Sequence, residues 1–464
     1  MAHSKRVSIS SVRSVSPMTP VYVATPETER WVKTWQNVPA RDLIDSPVVT
    51  VDAETSVEDA CELLLSKNVP CIAVNRPFAS SPHDPPFVGL FDHPDVNAFL
   101  TLAATRHRWS PDELRERPRT EEIIAAAKAG RVPVRLVSNL SEKNPLEVLP
   151  HDATIISLLT VFARGTHRVL IRAALPSSAY LGMVSDRSLL EWFTLSAQKT
   201  PALESLLSSP LSSLALPSLY LYSSVVALKA GDMVLDAMRL MSDFGVSSVA
   251  VLVEEGGGLL SAVSATDIGK LVVPSQSNQI LSTPLHQFIS LIKQPDGSTD
   301  GVDKYPVYSV SPSSTLLYTM QKIVATNSHR LFISDDTAPS PPSRAASLSG
   351  VVSIVDVLSL FARLAKLPDV DPTAMQRHRR ASSASSGSSI SRSPEPYNHL
   401  ARSRSSSRTG YSSAPTKRMS VSSANVSPGL PPTISSSPGG GLAGPVPSFE
   451  SLSNVQQWAA RVPR

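Results

Sequence analysis

The stretch GVVSIVDVL, residues Gly350–Leu358, decides the fold. It begins with an apolar run typical of a β-strand and continues with the apolar spacing of a helix. Ser353 and Asp356 stand at the junction, where a hydroxyl and a carboxylate can cap a helix N-terminus. The stretch therefore predicts a strand that leads directly into a helix.

The same pattern returns between Trp31 and Leu367 at intervals of roughly 80 to 90 residues, which indicates internal repeats. Each copy has a short β-branched run, an amphipathic helix, a second apolar strand, a variable loop, a third strand and a closing helix. A unit this small cannot cover its own sheet, so the copies should pair. The pattern predicts an α/β fold of two pseudosymmetric pairs. The four copies are predicted at residues 31–105, 135–198, 203–275 and 281–367.

Composition separates this core from two tails. The 464 residues include 40 prolines and only 5% aromatic residues, so part of the chain should not enter a packed core. Serine and proline are concentrated in residues 1–30 and 372–464, which we expect to be disordered. These tails carry charges of +2 and +9 and the middle carries −7, which together give the net charge of +4. An acidic core and tails without interleaved aromatic residues argue against nucleic-acid binding.

Short kinase-site patterns occur in both tails. Ser8, Ser382 and Ser420 follow pairs of Lys or Arg, and Ser427 precedes a proline. Basophilic and proline-directed kinases recognise such patterns, and each phosphate adds about −1.5 to −2 charges. The same patterns also arise by chance in a segment rich in arginine and serine. We predict that one or more of these serines is phosphorylated.

Residues 448–464 differ from the rest of the second tail. Ser448 can cap a helix, and apolar residues follow it at three- or four-residue spacing. The segment is either a helix that docks on the core or on a partner, or an unstructured terminus with incidental apolar residues. The apolar residues are Phe449, Leu452, Val455, Trp458 and Val462.

Several classes of protein are excluded by the sequence. Cys61 and Cys71 have the spacing of neither a disulfide scaffold nor a zinc site. His93, His151 and His286 have no metal-like grouping, so we expect no metal site. Neither a signal peptide nor a membrane-spanning apolar run is present, so we expect a soluble intracellular protein. Without a P-loop, serine-hydrolase, zinc-protease or kinase signature, the chain should act by binding and not as an enzyme.

The repeats resemble the CBS motif, named for cystathionine β-synthase, over about 330 of the 464 residues. In that family two repeats form a Bateman module, and the cleft between them often holds an adenine nucleotide. The closing Ser-x-x-Asp then supplies a carboxylate that accepts hydrogen bonds from the ribose hydroxyls. The resemblance implies two Bateman modules, no required cofactor, and AMP, ADP or ATP as a regulatory ligand.

Candidate ribose-binding residues follow from this resemblance. They comprise the closing acid of three repeats and, in two of these, the serine before it: Asp95, Ser264, Asp267, Ser353 and Asp356. Repeat 2 has Ser188 where the acid belongs. An aspartate at this place is also a common helix cap, so a purely structural role stays open.

Candidate phosphate-binding residues open the second strands of repeats 2 and 4. These are the pairs His167-Arg168 and His329-Arg330, and bound phosphate requires such cations. Repeats 1 and 3 lack the pair. A His-Arg pair at a strand entrance can also be a solvated edge without a ligand.

Features outside the repeats carry a second resemblance. Trp31 and Trp35 lie in a predicted entry helix at the start of repeat 1, and both tails are rich in serine. With four stand-alone repeats, these features resemble the fungal Sds-type (suppressor of dis) family. That resemblance implies inhibition of a type 2A-like serine/threonine phosphatase, with roles in cell separation, mitotic progression and nutrient response in cytoplasm and nucleus. The tryptophans could equally be a hydrophobic staple onto the core.

Two functions follow from these resemblances. The first is a regulatory adaptor whose core binds a phosphatase or a kinase complex, with a contact adjusted by phosphorylation of the tails. The second is an energy sensor, similar more distantly to the γ subunit of AMP-activated protein kinase, in which a nucleotide shifts the core between two states. Both imply a protein partner, and neither implies a nucleic acid or a membrane. The long tails and the missing His-Arg pairs favour the adaptor.

Overall fold

A computed structural model describes the core of the chain. The described residues are 26–77, 85–105, 110–115, 117–174, 176–177, 179–198, 200, 203–214, 216, 218–219, 225–254, 258–272, 278–292, 309–335, 347–368 and 370. The predicted phosphorylation sites, the predicted helix in 448–464 and nearly all of both predicted tails lie outside these residues.

The first helix begins inside the predicted N-terminal tail. Helix α1 spans Pro26–Trp35, so the tail boundary expected at residue 30 is wrong by five residues. The first turn is held because Thr28 is buried and because Trp31 and Trp35 anchor the helix on the core. Proline at the first helical position is also favourable, since its missing N–H would have no partner there.

The first pair consists of repeats 1 and 2. Repeat 1 contains β1 (Thr50–Val51), α2 (Val57–Ser66), β2 (Cys71–Asn75), β3 (Phe87–Asp92) and α3 (His93–Thr105). Three short helices follow that the sequence did not predict: α4 (Pro111–Arg115), α5 (Pro118–Lys128) and α6 (Val134–Val137). Repeat 2 contains β4 (Val148–Leu149), α7 (Ile155–Phe162), β5 (Arg168–Arg172), β6 (Tyr180–Ser185) and α8 (Asp186–Gln198).

The second pair repeats this order. Helix α9 (Glu204–Leu207) precedes repeat 3, which has β7 (Ala227–Lys229), α10 (Val234–Asp243), β8 (Ser248–Leu252), β9 (Leu259–Ser264) and α11 (Ala265–Val272). Helix α12 (Leu285–Ile292) follows. Repeat 4 has β10 (Ser309–Val310), α13 (Leu316–Ala325), β11 (Arg330–Asp335), β12 (Ser347–Ser353) and α14 (Ile354–Leu364).

Every repeat folds into the same three-stranded sheet. The first strand pairs with the second in parallel, and the second pairs with the third in antiparallel fashion. In repeat 1, for example, Thr50 lies opposite Ala73 and Cys71 lies opposite Asp92. Because a parallel pair needs a crossover, the first helix of each repeat joins its first two strands.

The sheets pack in pairs, as the sequence predicted. An apolar cluster between repeats 1 and 2 contains Cys71, Leu90, Leu170 and Met183. An equivalent cluster between repeats 3 and 4 contains Ala250, Phe332 and other small or apolar residues. Each sheet thereby covers one face of its partner, which confirms the α/β fold of two paired modules. Cys61 and Cys71 are both buried free thiols.

Helices join the two modules. Helix α3 of repeat 1 packs on α10 and α11 of repeat 3, while α7 and α8 of repeat 2 pack on α14 and α13 of repeat 4. The largest apolar cluster lies at the second of these contacts. There Trp31 and Trp35 pack with their ring centroids 4.4 Å apart, against Phe193 of α8 and Phe361 of α14. The interpretation of the two tryptophans as a staple onto the core is thus confirmed.

Candidate functional site

The Ser-x-x-Asp motifs form helix caps in this structure. In repeat 4 the Ser353 Oγ accepts a hydrogen bond from the Asp356 backbone N–H at 3.2 Å, and the Asp356 carboxylate accepts from the Ser353 N–H at 2.9 Å. Ser264 and Asp267 form the same reciprocal bonds in repeat 3. Such capping boxes satisfy the free N–H groups at a helix start. These serines and aspartates therefore act as helix caps, which is the structural role considered above. Binding of a ribose would be a second role for the same side chains.

Asp356 is further engaged by a segment of the same chain. Its second carboxylate oxygen accepts a hydrogen bond from the Ser218 hydroxyl at 2.8 Å, and the side chain is buried. Burial raises the pKa of Asp356. The backbone of Leu219 also lies directly against the third strand of repeat 4. A Cβ added to Gly350 would lie 1.7 Å from the Leu219 carbonyl oxygen. Residues 218–219 thus occupy the cleft beside the predicted ribose carboxylate.

Asp95 is engaged in a similar way in repeat 1. Its two carboxylate oxygens accept hydrogen bonds from the backbone N–H groups of Asn139, at 3.1 Å, and Ser141, at 2.9 Å. The side chain is buried, and burial together with the adjacent Asp92 raises the pKa of Asp95 well above its usual range. Residues 138–141 therefore lie where a ribose would approach this carboxylate.

A segment of the same chain also covers repeat 2, which has Ser188 in place of the closing aspartate. The Asp45 N–H donates to the Met183 carbonyl at 3.0 Å, and the Met183 N–H donates to the Ser46 carbonyl at 2.9 Å. Ser188, which replaces the aspartate, donates its hydroxyl to the Leu43 carbonyl at 2.7 Å. Residues 43–46 thus cover the third strand of repeat 2.

The segments 43–46, 138–141 and 218–219 are called covering segments below. Each precedes the first strand of one repeat and lies on the third strand or closing helix of its partner repeat. The equivalent segment before β10 lies outside the described residues. Among the described residues, only Ser264 donates a hydrogen bond to the carboxylate of half-buried Asp267. Repeat 3 therefore has the most accessible of the predicted ribose carboxylates.

The two histidines of the His-Arg pairs meet each other between the modules. The rings of His167 and His329 have centroids 5.1 Å apart, and Asp186 joins them. The Asp186 Oδ2 lies 2.7 Å from Nδ1 of His167 and 3.9 Å from Nδ1 of His329. The Nδ1 atom of His329 is buried although 42% of the side chain is exposed, and this partial burial lowers the pKa of His329.

The two arginines of these pairs have different surroundings. The Arg330 guanidinium lies 3.5 Å from the Ser247 hydroxyl, and burial lowers its pKa to about 10. Arg168 helps to hold the pKa of Asp186 low. Asp186, a carboxylate that the sequence analysis did not select, therefore lies among His167, His329 and Arg168. Arg330 contacts Ser247 of repeat 3 instead.

Asp186 is the residue that sequence reasoning missed. It directly follows the third strand of repeat 2, at the place where the other repeats have His93, Ala265 and Ile354. Alignment of the four strand ends would have revealed an acid at this position. The motif Ser-x-x-Asp drew attention to Ser188 instead, which lies two residues later.

One cavity lies between the modules on the opposite side, where repeat 1 packs on repeat 3. It has a volume of about 380 Å³. Asn97 of α3, Met241 of α10, Arg117 and Lys143 are among the residues that line it. The Oδ1 atom of Asn97 is buried without a hydrogen-bond partner among the described residues.

The fold defines a class of protein. Paired sheets with a closing Ser-x-x-Asp are the features of CBS-domain regulatory proteins, and residues 40–76 and 221–273 match the family model described as the CBS domain. None of the described helices is long and apolar enough to cross a membrane.

Relatives across fungi define the family more narrowly. Protein SDS23 of Yarrowia lipolytica is 30% identical over 404 residues, which cover 82% of this chain and 77% of that protein. Protein sds23 of Aspergillus niger is 29% identical over 404 residues, which cover 76% of this chain and 77% of that protein. The chain belongs to the SDS23 family.

A solved structure is similar at lower identity. It is a protein from Methanocaldococcus jannaschii described as a homologue of the γ subunit of AMPK. It is 15% identical, covers 70% of this chain and 100% of its own, and has a TM-score of 0.46.

Proposed function

We propose that this CBS-domain protein is a non-enzymatic adaptor that binds and inhibits a type 2A-like serine/threonine phosphatase. The roles that the family resemblance implies for it are cell separation, mitotic progression and nutrient response, in cytoplasm and nucleus. One observation carries the choice of an adaptor: the buried carboxylates of Asp95 and Asp356 already accept hydrogen bonds from the chain itself. Covering segments fill the clefts beside these two carboxylates, so this part of the core has a fixed surface without any ligand, as a binding scaffold requires.

The tails would adjust this contact through charge. The segment 372–464 carries +9 while the middle carries −7, so the tail is attracted to the core or to an acidic partner. Phosphorylation of Ser8, Ser382, Ser420 or Ser427 adds about −1.5 to −2 charges for each phosphate and weakens that attraction. The phosphatase would then meet surfaces of the core that the unphosphorylated tail had covered.

Inhibition can be measured directly with purified proteins. The full chain is added to a type 2A-like phosphatase catalytic subunit, and release of phosphate from a phosphopeptide is followed. We expect dose-dependent inhibition at micromolar chain or below. Absence of both inhibition and co-precipitation at that concentration would contradict the proposal.

A separate experiment tests whether phosphorylation of the tails changes the inhibition. The chain is phosphorylated by a basophilic and a proline-directed kinase before the assay, and inhibition is compared with that of the untreated chain. A variant with alanine at Ser8, Ser382, Ser420 and Ser427 is treated in the same way. We expect phosphorylation to shift the inhibition curve of the natural chain and not that of the variant. Equal shifts in both would show that other sites are responsible.

The accessibility of Asp267 favours a second candidate function, an adenine-nucleotide sensor in which repeat 3 holds the ribose. Titration calorimetry of the full chain with AMP, ADP and ATP tests it. We expect Asp267→Ala to weaken binding at least about tenfold, as for loss of a charged hydrogen-bond acceptor. The control is Asp236→Ala, an acid of the same repeat at the start of α10. No heat of binding with any nucleotide at millimolar concentration would exclude the sensor.

A further inference from the structure

Two imidazole rings and one carboxylate converge where repeats 2 and 4 pack together. The nitrogen and oxygen atoms that His167, Asp186 and His329 can offer to a ligand all lie within 4.8 Å of one another. His167 precedes β5, Asp186 begins α8 and His329 precedes β11, so three element ends hold the side chains in place. Rigid elements of this kind can fix ligand positions to a fraction of an ångström.

One oxygen of the buried carboxylate has no partner, although the other contacts the His167 ring. Asp186 is 0% exposed, and its Oδ1 has no hydrogen-bond partner among the described residues. The Nδ1 of His329 is likewise buried and without a partner. Buried polar atoms without a hydrogen-bond partner are unfavourable and rare, so two of them side by side mark a place where a bound ligand would be stabilising. The adjacent carboxylate would attract a cation and repel an anion, so a cation suits this place better than an anion does.

We propose that His167, Asp186 and His329 together bind one divalent transition-metal ion, for which Zn²⁺ is the best fit. Imidazole nitrogen and carboxylate oxygen are ordinary zinc ligands, with bonds of about 2.0–2.2 Å. In a tetrahedral site such bonds place the ligand atoms roughly 3.3–3.6 Å apart. The separation of 3.9 Å between Asp186 Oδ2 and His329 Nδ1 is close to that range. His167 Nδ1 forms a hydrogen bond with the same oxygen at 2.7 Å, and its ring would move outward by roughly 1 Å or less to bind the ion. A fourth position would hold water, as in zinc sites with three protein ligands.

The kind of ligand atom also selects among metals. Two imidazoles disfavour Mg²⁺ and Ca²⁺, which prefer oxygen ligands.

A bound ion would link the two modules. His167 and Asp186 belong to repeat 2, whereas His329 belongs to repeat 4. A neighbouring hydrogen bond from Arg187 to Asn327 already joins the same repeats and steadies the turn that carries His329. This role depends on neither phosphatase inhibition nor nucleotide binding.

Metal binding to the full chain tests the proposal. The chain is purified without a polyhistidine tag, stripped with a chelator, dialysed and titrated with Zn²⁺, with Mg²⁺ as the contrasting probe. We expect one equivalent of Zn²⁺ to bind and to raise the thermal midpoint, and Mg²⁺ to do neither. Co²⁺ provides a spectroscopic readout, since a site of this kind gives strong visible absorption while hydrated Co²⁺ gives weak absorption.

Substitutions assign the binding to these residues. We expect Asp186→Asn and His329→Gln each to lower the affinity for Zn²⁺ at least about tenfold. The control is His151→Gln, which removes a histidine outside the cluster and should bind like the natural chain. His329 is 42% exposed, so its substitution should leave the fold intact, and circular dichroism of each variant checks this.

Three results would overturn the proposal. They are no Zn²⁺ binding above that of Mg²⁺, equal Zn²⁺ affinity in His329→Gln and His151→Gln, and a Co²⁺ spectrum that is the same with and without the natural chain.

Discussion

Gly350 is a position where a single methyl group cannot be accommodated. A Cβ there would meet the Leu219 backbone carbonyl oxygen at 1.7 Å, and the backbone cannot move aside as a flexible side chain can. We expect Gly350→Ala to lower the free energy of unfolding by about 1–3 kcal/mol or more, which denaturant titration of the full chain would detect.

Gly231 provides the matched control for this substitution. A Cβ there would meet only the carboxylate end of exposed Glu254, at 2.7 Å, and that side chain can rotate away. Gly231→Ala should therefore have a small effect. If both variants unfolded at the same denaturant concentration, residues 218–219 would not be fixed against the third strand of repeat 4.

His93 makes the stability of the core depend on pH. Burial lowers its pKa, Asp92 opposes this effect, and Lys270 and Arg168 reinforce it. The folded chain therefore resists protonation of His93, while the unfolded chain takes up a proton below pH about 6.5. Stability should be unaffected above that pH and should fall below it, by at most about 1.4 kcal/mol for each pH unit.

A comparison of two chains isolates this histidine from the other titrating groups. Denaturation is measured between pH 7.5 and 5.5 for the natural chain and for His93→Gln. The variant should lose less stability over this range, whatever its absolute stability. Parallel curves for the two chains would mean that His93 is protonated in the folded state as readily as in the unfolded state.

At the scale of elements, α1 connects the two modules. Trp35 is 0% exposed and contacts both Phe193 of repeat 2 and Phe361 of repeat 4. Removal of a buried tryptophan leaves a large cavity, so Trp35→Ala should destabilise the core by about 3–5 kcal/mol. Lys33→Ala, on the exposed face of the same helix, should change stability by less than about 0.5 kcal/mol. Thermal unfolding of the two variants measures the difference, and similar midpoints would show that α1 is not anchored.

The elements themselves were largely predictable from the sequence. Each strand is a short apolar run and each closing helix has a local cap, so the segments around Gly182–Ser185 and Gly350–Ser353 were recognised as third strands. The helices α4 to α6 were not predicted because they lie between repeats, where the recurring pattern gave no guide. The sequence nevertheless contains a local signal for two of them, because proline is favoured at the first position of a helix and Pro111 and Pro118 begin α4 and α5.

The arrangement of side chains around the clefts was less predictable. Sequence spacing placed Asp356 at the start of a helix, but nothing local indicated that Ser218 would donate to its carboxylate from 138 residues away. The meeting of His167, Asp186 and His329 likewise depends on how two modules pack. A sequence pattern reports which residues share an element and cannot report which distant elements come into contact.

At the scale of the whole core, the modules should unfold together. One apolar cluster contains residues of α1, repeat 2 and repeat 4, and Trp31, Trp35 and Trp192 all belong to it. We expect tryptophan emission and far-ultraviolet circular dichroism to change at the same denaturant concentration, as in a two-state transition. Trp109→Phe together with Trp458→Phe removes the emission of the two tryptophans outside the described residues. An emission change clearly separated from the circular dichroism change would mean that the modules unfold independently.

The covering segments make the two repeats of a module complete each other. Residues 43–46, which precede repeat 1, lie on repeat 2, and residues 138–141, which precede repeat 2, lie on repeat 1. A break in the chain between the two repeats would leave each fragment carrying the other's missing piece. A repeat copied or moved alone during evolution would therefore arrive with an open cleft. The pair is the smallest unit that can be duplicated, inherited or transplanted as a finished structure.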